Sequence, residues 1–270
     1  MRVGIIGCGT IGSALAKALI RRFQKSAALR YFCEIHEEKA IRLKRALSRS
    51  HSPIRITTLA ELVRKSDLII EAASSMIAPE VVKRGLAEHK QILVMSVGGL
   101  IAIRGLENIL RRSRGKLWIP SGAIAGVDGL LAAREAGIRS VTLVTKKSPA
   151  GLREAPYFSK KKFPRLRGNE ERCVFKGSAD EAVREFPKNV NVAAVLSLAG
   201  IGFLRTKVQI WTSRAYRKNQ HEISIEGRSG HMSFKVANVP SPWNPKTSSL
   251  AIYSAMATLR KILSSFRIGT

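Results

Sequence analysis

The 270-residue sequence is short of cysteine, of aromatic side chains and of acidic residues, and each shortage narrows what the protein can be. Its 3 cysteines lie apart at Cys8, Cys33 and Cys173. They form no CxxC pair, and His36, His51, His89, His221 and His231 stand at no metal-ligand spacing from them. A disulfide framework and a zinc-ribbon centre are excluded, no metal is expected, and reduced, mostly buried thiols are. Aromatic residues make up 6% and do not interleave with the basic ones, so the stacking surface of a single-strand nucleic-acid binder is missing. The apolar stretch "VAAVLSLAGIGFL", Val192 to Leu204, falls short of the roughly 20 residues that span a bilayer. The first residues enter a strand pattern directly, without the basic opening and cleavage site of a signal peptide. The expectation is a cytoplasmic protein with no membrane partner.

Acid is outnumbered by base, 19 Asp and Glu against 47 Lys and Arg, which gives a formal net charge of +28. Such a field attracts small dicarboxylates, nucleotides or nucleic acid. The excess is spread along the chain, with a local concentration from Lys146 to Arg172. It reads as solvated cationic surface, with nucleic-acid binding as a side activity at most. Hydrophobic residues reach 45%, enough for a sizeable core.

The first half alternates strand and helix. "RVGII" is a short apolar run, and Ile11, Ala14, Leu15, Ala18 and Leu19 then repeat at helical spacing. "LRYFC" reads as a second strand, "EEKAIRLKRALS" as a helix and "IRIT" as a brief strand. "TLAE" fits a capping box, with Thr58 as N-cap and Glu61 reaching back. "DLIIEAA" and "ILVMSVGG" look like parallel strands buried on both faces. "GLENILRRSRGK" reads as a helix and "LWIP" as a further strand. The order implies an α/β fold with a doubly wound N-terminal Rossmann domain over residues 1–120. After Pro120 the pattern becomes that of a mixed α/β domain over 121–244. "SGAIAGVDGL" turns into a helix, and "IRSVTLVTKK" alternates like a strand with one wet face. Lys146 to Glu171, with three prolines and a "KKK" run, reads as an exposed loop. "FPKNVNVAAVLSLAGIGF" runs from loop into buried helix, and "KVQIWTS" and "HEISIEGRSGHMSFKVAN" read as strands. "NPKTSSLAIYSAMATLRKIL" reads as a helix with Pro245 in its first turn.

"VGIIGCGTIG" places Gly7, Gly9 and Gly12 between a strand and a helix, the context that the dinucleotide fingerprint requires. The first glycine allows the tight turn, the second lets backbone approach the pyrophosphate, and the third lets helix and strand pack closely. Thr10 and Ile11 open the helix, whose N–H groups and partial positive charge face the phosphates. Glu34 closes the second strand, where a carboxylate accepts hydrogen bonds from the adenosine ribose. A carboxylate there repels a 2′-phosphate, so NAD is the expected cofactor. Arg30, His36 and Lys39 soften the repulsion and leave NADP as an alternative.

A Rossmann half does not name a reaction. In the second half, Gly122, Gly126 and Gly129 loosen a strand-to-helix junction that offers N–H groups to a carboxylate or an amide. Asn189 and Asn191 precede an apolar helix, as caps or as carboxamide partners. His221 stands at a strand start beside Asn219 and Glu222, as a surface residue or a functional one. "MSVGGL", "PSGAIAGVDGL", "FPKNVNVAA", "NQHEISIEG" and "SAMATL", together with the opening fingerprint, closely resemble the L-aspartate dehydrogenase family over nearly the whole chain.

The resemblance implies NAD- or NADP-dependent oxidation of L-aspartate to iminoaspartate, then oxaloacetate and ammonia, with the imine feeding NAD biosynthesis. It carries the catalytic histidine onto His221 and second-domain cofactor contacts onto Ala123 and Asn189. It implies a C-terminal helix, 245–270, that packs back on the first domain, and an oligomer, commonly a homodimer. The chemistry asks for a base, and His221 has an ordinary pKa of about 6.5. Backbone around Gly122 to Ile124, and the side chains of Ser121, Asn219 and Thr247, are candidate donors to substrate carboxylates; Thr247 is equally a cap for the last helix. A reductase of the dihydrodipicolinate or homoserine type, and a basic nucleotide-binding or nucleic-acid-binding protein without turnover, remain as alternatives.

Overall fold

The computed structural model describes residues 1–47, 53–187, 191–242 and 244–269. The chain forms two units, one of Met1–Pro120 with Ile252–Arg267 and one built on Ser121–Ala251. In the first unit β1 (Arg2–Ile6), α1 (Thr10–Arg22), β2 (Ala28–Cys33), α2 (Glu37–Ala46), β3 (Arg55–Ile56), α3 (Leu59–Lys65), β4 (Leu68–Glu71), α4 (Ala78–Ala87), β5 (Gln91–Val94), α5 (Leu106–Arg112) and β6 (Lys116–Trp118) follow in turn. Among the described residues the strands form one parallel sheet in the order β3-β2-β1-β4-β5-β6. This is the doubly wound arrangement, and its switch point lies between β1 and β4. Val3 to Ile6 and Leu68 to Glu71 are buried throughout, which is why both strands read as unbroken apolar runs.

The exception within those runs is Glu71, which has no exposed surface. Its Oε1 accepts hydrogen bonds from the Ala73 and Ser74 N–H groups and from Ser96 Oγ, and its Oε2 accepts one from the Ser96 N–H. Burial pushes this carboxyl above its usual range, and these hydrogen bonds oppose the push. The result is a clasp across the C-terminal ends of β4 and β5. Beyond it β5 stops at Val94, and the glycines of "SVGGL" wind into a 3-10 turn, Val97–Ala102, where the sequence pattern had suggested continued strand. A Cβ on Gly99 would stand 2.3 Å from the Ser75 carbonyl oxygen.

Thr58 caps α3 as expected, accepting from the Glu61 N–H at 3.3 Å. The Glu61 carboxylate, however, turns to Thr57 and Lys65 instead of back to Thr58, so this capping box is only half made. The nearby ammonium competes better than a backbone N–H.

The second unit contains α6 (Val127–Ala136), β7 (Ile138–Lys147), α7 (Tyr157–Lys160), β8 (Arg172–Ser178), α8 (Ala179–Glu185), α9 (Asn191–Ala199), β9 (Lys207–Thr212), β10 (Asn219–Gly227), β11 (Gly230–Asn238), β12 (Pro240–Ser241) and β13 (Asn244–Ser248). Its main sheet is mixed, β11-β10-β7-β9-β8, with β7 and β9 parallel and the other neighbours antiparallel. One face buries Val141, Leu143, Val208, Ile210, Ile223 and Ile225. The helices α6 and α9 pack together in the same unit, and α9 is buried almost throughout.

Two expectations are corrected here, and two elements are added. The basic stretch after β7 is not a bare loop. It contains α7, it buries Leu152, and Tyr157 and Phe158 pack against Phe175 and Phe186 at centroid distances of 5.1 to 6.0 Å, with Phe163 against Phe158 at 4.7 Å. The strand β8 and helix α8 follow it, the helix opened by a full capping box of Ser178 and Glu181. Pro245 lies in β13, and the last helix, α10 (Ser249–Leu263), begins after it. That helix carries Ala255, Leu259 and Ile262 into the buried cluster of the first unit, with Val3, Leu15, Leu19 and Phe23. Among the described residues no helix is long and apolar enough to cross a membrane.

The Glu71 clasp gives a direct test of the first unit's stability. Glu71→Ala strands the buried N–H and hydroxyl of Ser96, while the Ala73 and Ser74 N–H groups lie where water can reach them. It is expected to cost about 2–3 kcal/mol, read as a lower urea midpoint for the first unit, because buried unsatisfied donors cost more than their hydrogen bonds contributed.

Candidate functional site

The first unit holds a cradle at its switch point. Gly7 has φ 89°, a conformation glycine adopts without strain, and its N–H donates to the Cys33 carbonyl at 2.9 Å. A Cβ on Gly12 would lie 1.9 Å from the Gly7 carbonyl oxygen, so α1 and β1 meet too closely for any side chain. At Gly9 the opposite holds: nothing stands within 4 Å of an added Cβ. Gly9 caps α1 without a side-chain hydrogen bond, and the first turn holds no acidic residue. The N–H groups of Thr10, Ile11 and Gly12 precede the Ser13 to Gly9 bond at the helix start. Open space, uncapped donors and a helix N-terminus together suit a phosphate group.

Glu34 is tied to this cradle. Its Oε2 accepts from the Cys8 N–H at 2.7 Å and its Oε1 from the His36 N–H at 3.1 Å. A carboxylate has about four acceptor positions, so capacity remains for ribose hydroxyls. The residues present therefore fit a dinucleotide. The Cys8 thiol is pushed up to about 12 by burial and by the charge of Glu34, so it stays neutral. Cys33 is raised for the same reasons. Of the three thiols only Cys8 is fully buried, and the other two are half-buried.

In the second unit the polar residues gather at one end of the helix-facing side of the sheet. His221 on β10 pairs with Thr145 on β7, and its Nδ1 lies 3.1 Å from Thr145 Oγ1. His221 is only 4% exposed, so it is not the surface residue its strand-end position allowed. With Nδ1 engaged, Nε2 is the nitrogen left for proton exchange. Its pKa is not near 6.5: burial, aided by the charge of Lys147, lowers it to about 3. The ring is therefore neutral at physiological pH.

Asn219, one step along the same face, sits opposite Asn238 of β11. Buried Asn238 donates from Nδ2 to the Ala123 carbonyl at 3.0 Å and accepts from Ser248 Oγ at 2.5 Å. The turn from Ser121 to Gly126 is thus tied to the strand end that follows His221's neighbour. Gly122 has φ 70° with nothing within 4 Å of an added Cβ, whereas the Ile124 side chain is buried in the core. Thr247 lies in β13, two residues before α10 begins. Asn189 lies outside the described residues. The structure gathers Ala123, Asn219 and His221, and adds three side chains that the sequence reading missed, Thr145, Lys147 and Thr212. Their signal was the period-two alternation from Val141 and Leu143, which carries Thr145 and Lys147 onto the His221 face.

The low pKa of His221 has a stability consequence. The unfolded chain takes up this proton near pH 6.5 and the folded chain only near 3. Between those values the unfolded state binds more protons, so stability falls as pH falls. Wild-type protein is expected to lose about 1 kcal/mol per pH unit through this residue in that window. Denaturation midpoints across pH should show a shallower acid slope for His221→Gln.

Comparison with known proteins bears on both units. Residues 128–262 match the family described as aspartate dehydrogenase, C-terminal, and residues 7–115 match homoserine dehydrogenase, NAD binding domain. The chain is 43% identical over 273 residues to L-aspartate dehydrogenase of Methanosarcina acetivorans and 42% identical to that of Methanosarcina barkeri, with 100% of both sequences covered in each case. Among solved structures, aspartate dehydrogenase from Thermotoga maritima matches with a TM-score of 0.75 at 26% identity, covering 100% of this chain and 99% of the other.

Proposed function

The chain belongs to the L-aspartate dehydrogenase family, and we propose that it oxidatively deaminates L-aspartate to iminoaspartate, which water converts to oxaloacetate and ammonia. The observation that carries this reading is the buried, neutral His221, oriented through Nδ1 by Thr145, in a unit that matches the aspartate dehydrogenase C-terminal family. A match confined to the nucleotide-binding half would have left the homoserine-type reductase equally placed; here the half that selects substrate agrees.

The first unit would hold a pyridine nucleotide through Gly7, Gly9, Thr10, Ile11, Gly12 and Glu34, with Ala123 and Asn189 contributing from the second half. When bound, the nicotinamide accepts the hydride that leaves the substrate Cα. His221 takes the proton that must leave the substrate ammonium, since only the neutral amine has the lone pair that expels hydride. Once it has released that proton to solvent, the same nitrogen takes one from the water that adds to the imine. Ser121, Gly122, Ile124, Asn219 and Thr247 are the proposed donors around the substrate, Ile124 through its backbone. Glu34 supports NAD over NADP, because a second negative group beside it would be repelled. A cytoplasmic homodimer that feeds pyridine nucleotide biosynthesis completes the reading; it rests on the family resemblance, and sedimentation would test the dimer.

The test is NADH formation with L-aspartate and NAD, beside D-aspartate, L-glutamate, L-homoserine and NADP. A rate for L-aspartate well above the others is expected, and no rate with any of them would overturn the proposal. His221→Ala should lower kcat by at least about 100-fold, the usual worth of a general base, while leaving NADH binding by fluorescence intact. Glu34→Gln should move cofactor preference toward NADP, read as the ratio of kcat/KM values.

A further inference from the structure

Two lysines stand side by side at the end of β7 and face opposite sides of the sheet. Lys146 pairs with Glu222 at 3.2 Å, and Lys235 joins the same carboxylate at 3.3 Å. That network occupies the face of the sheet away from His221, because Glu222 is the next residue along β10. Lys147 projects to the other face. Thr145, two residues earlier, makes the His221 hydrogen bond, and the charge of Lys147 acts on the His221 ring. Across the parallel ladder Lys147 sits beside Thr212 of β9. Thr212 is 0% exposed, and its Oγ1 has no hydrogen-bond partner among the described residues.

We propose that Lys147 and Thr212 form the seat for a carboxylate of the acidic amino-acid substrate and hold that anion beside His221. This rests on the dehydrogenase reading. The physical case has three parts. A buried hydroxyl without a partner costs free energy unless something fills its hydrogen bond, and a carboxylate does. Burial lowers the Lys147 ammonium to about 8, so it remains largely charged at neutral pH in a place where charge is costly. The His221 ring is held in its neutral, weakly basic form by its burial and by the charge of Lys147, and an anion seated beside both groups would strengthen that base. A carboxylate there accepts the Thr212 hydroxyl and favours the protonated His221 that forms when the substrate amine gives up its proton.

The experiment uses the full chain with L-aspartate and with succinate, a dicarboxylate that cannot be oxidised at an amine. Lys147→Met is expected to raise both the KM for L-aspartate and the Kd for succinate about 10- to 100-fold, the worth of one charge-assisted hydrogen bond. kcat should fall far less than KM rises, and NADH binding should hold. Thr212→Val should weaken succinate in the same direction, and Thr212→Ser should recover what valine loses. A collapse of kcat with KM and Kd unchanged would overturn the proposal and make Lys147 a proton carrier. Unchanged values throughout would overturn it in favour of a packing role. Should Lys147→Met fail to fold, the Thr212 pair decides alone. If the wild-type protein oxidises no amino acid yet succinate binding weakens in these variants, the carboxylate seat stands and the dehydrogenase reading falls.

Discussion

The pairing of β7 with β10 is the constraint on which the second unit depends. In its register Thr145 meets His221 and Val144 meets Glu222. A slip of one residue would turn His221 outward and bring a carboxylate under the helices, because side chains alternate along a strand. Several features hold the register. Glu222 is clamped on the outer face by lysines from both neighbouring strands. At the far end the ladder shifts between Glu226 and Gly227, and a Cβ on Gly227 would stand 2.6 Å from the Gly137 carbonyl oxygen. The hairpin to β11 then closes with Gly227 opposite Gly230. The orientation of one imidazole is therefore set by contacts distributed over three strands.

The scarcity of acid shapes the rest. Several of the carboxylates present are used as acceptors for backbone N–H groups. Glu34 accepts from Cys8, Glu71 from Ala73, Ser74 and Ser96, Asp67 from Arg2 at 2.7 Å, and Glu181 from Ser178 at 2.7 Å. Hydrogen bonding leaves their charge in place, and the net charge of +28 is the plain excess of 47 Lys and Arg over these few acids, 19 Asp and Glu in all. For an enzyme whose proposed substrate carries two carboxylates, that field favours encounter and makes association sensitive to ionic strength.

Legibility in the sequence followed the locality of each signal. The glycine cradle was legible because Gly7, Gly9, Gly12 and Glu34 act through neighbouring backbone. The family resemblance singled out His221, but no pattern disclosed its burial, which depends on strands more than 70 residues away in the chain, such as Thr145. The strand β8 escaped because Arg172, Lys176 and Gly177 interrupt its alternation, and α8 escaped with it. Thr58 and Ser178 carry the same capping pattern, yet only Ser178 forms the full box, since Lys65 draws Glu61 away. Lys147 was hidden in plain composition. Beside Lys146 and ahead of a "KKK" run it looked like one more solvated cation, and only the ladder separates its face from its neighbour's.

The placement of α10 bears on how the chain is made. Ala255, Leu259 and Ile262 complete a buried cluster begun by Val3, Leu15 and Phe23, so the first unit draws on residues from both ends of the sequence. The second unit is contiguous from Ser121 to Ala251. During synthesis nearly all of its chain is made before α10, while the earlier-made half still waits for the helix that fills its core. The N-terminal unit is thus the later of the two to close, and an apolar gap on it is the natural state of the nascent protein until the last helix clears the ribosome.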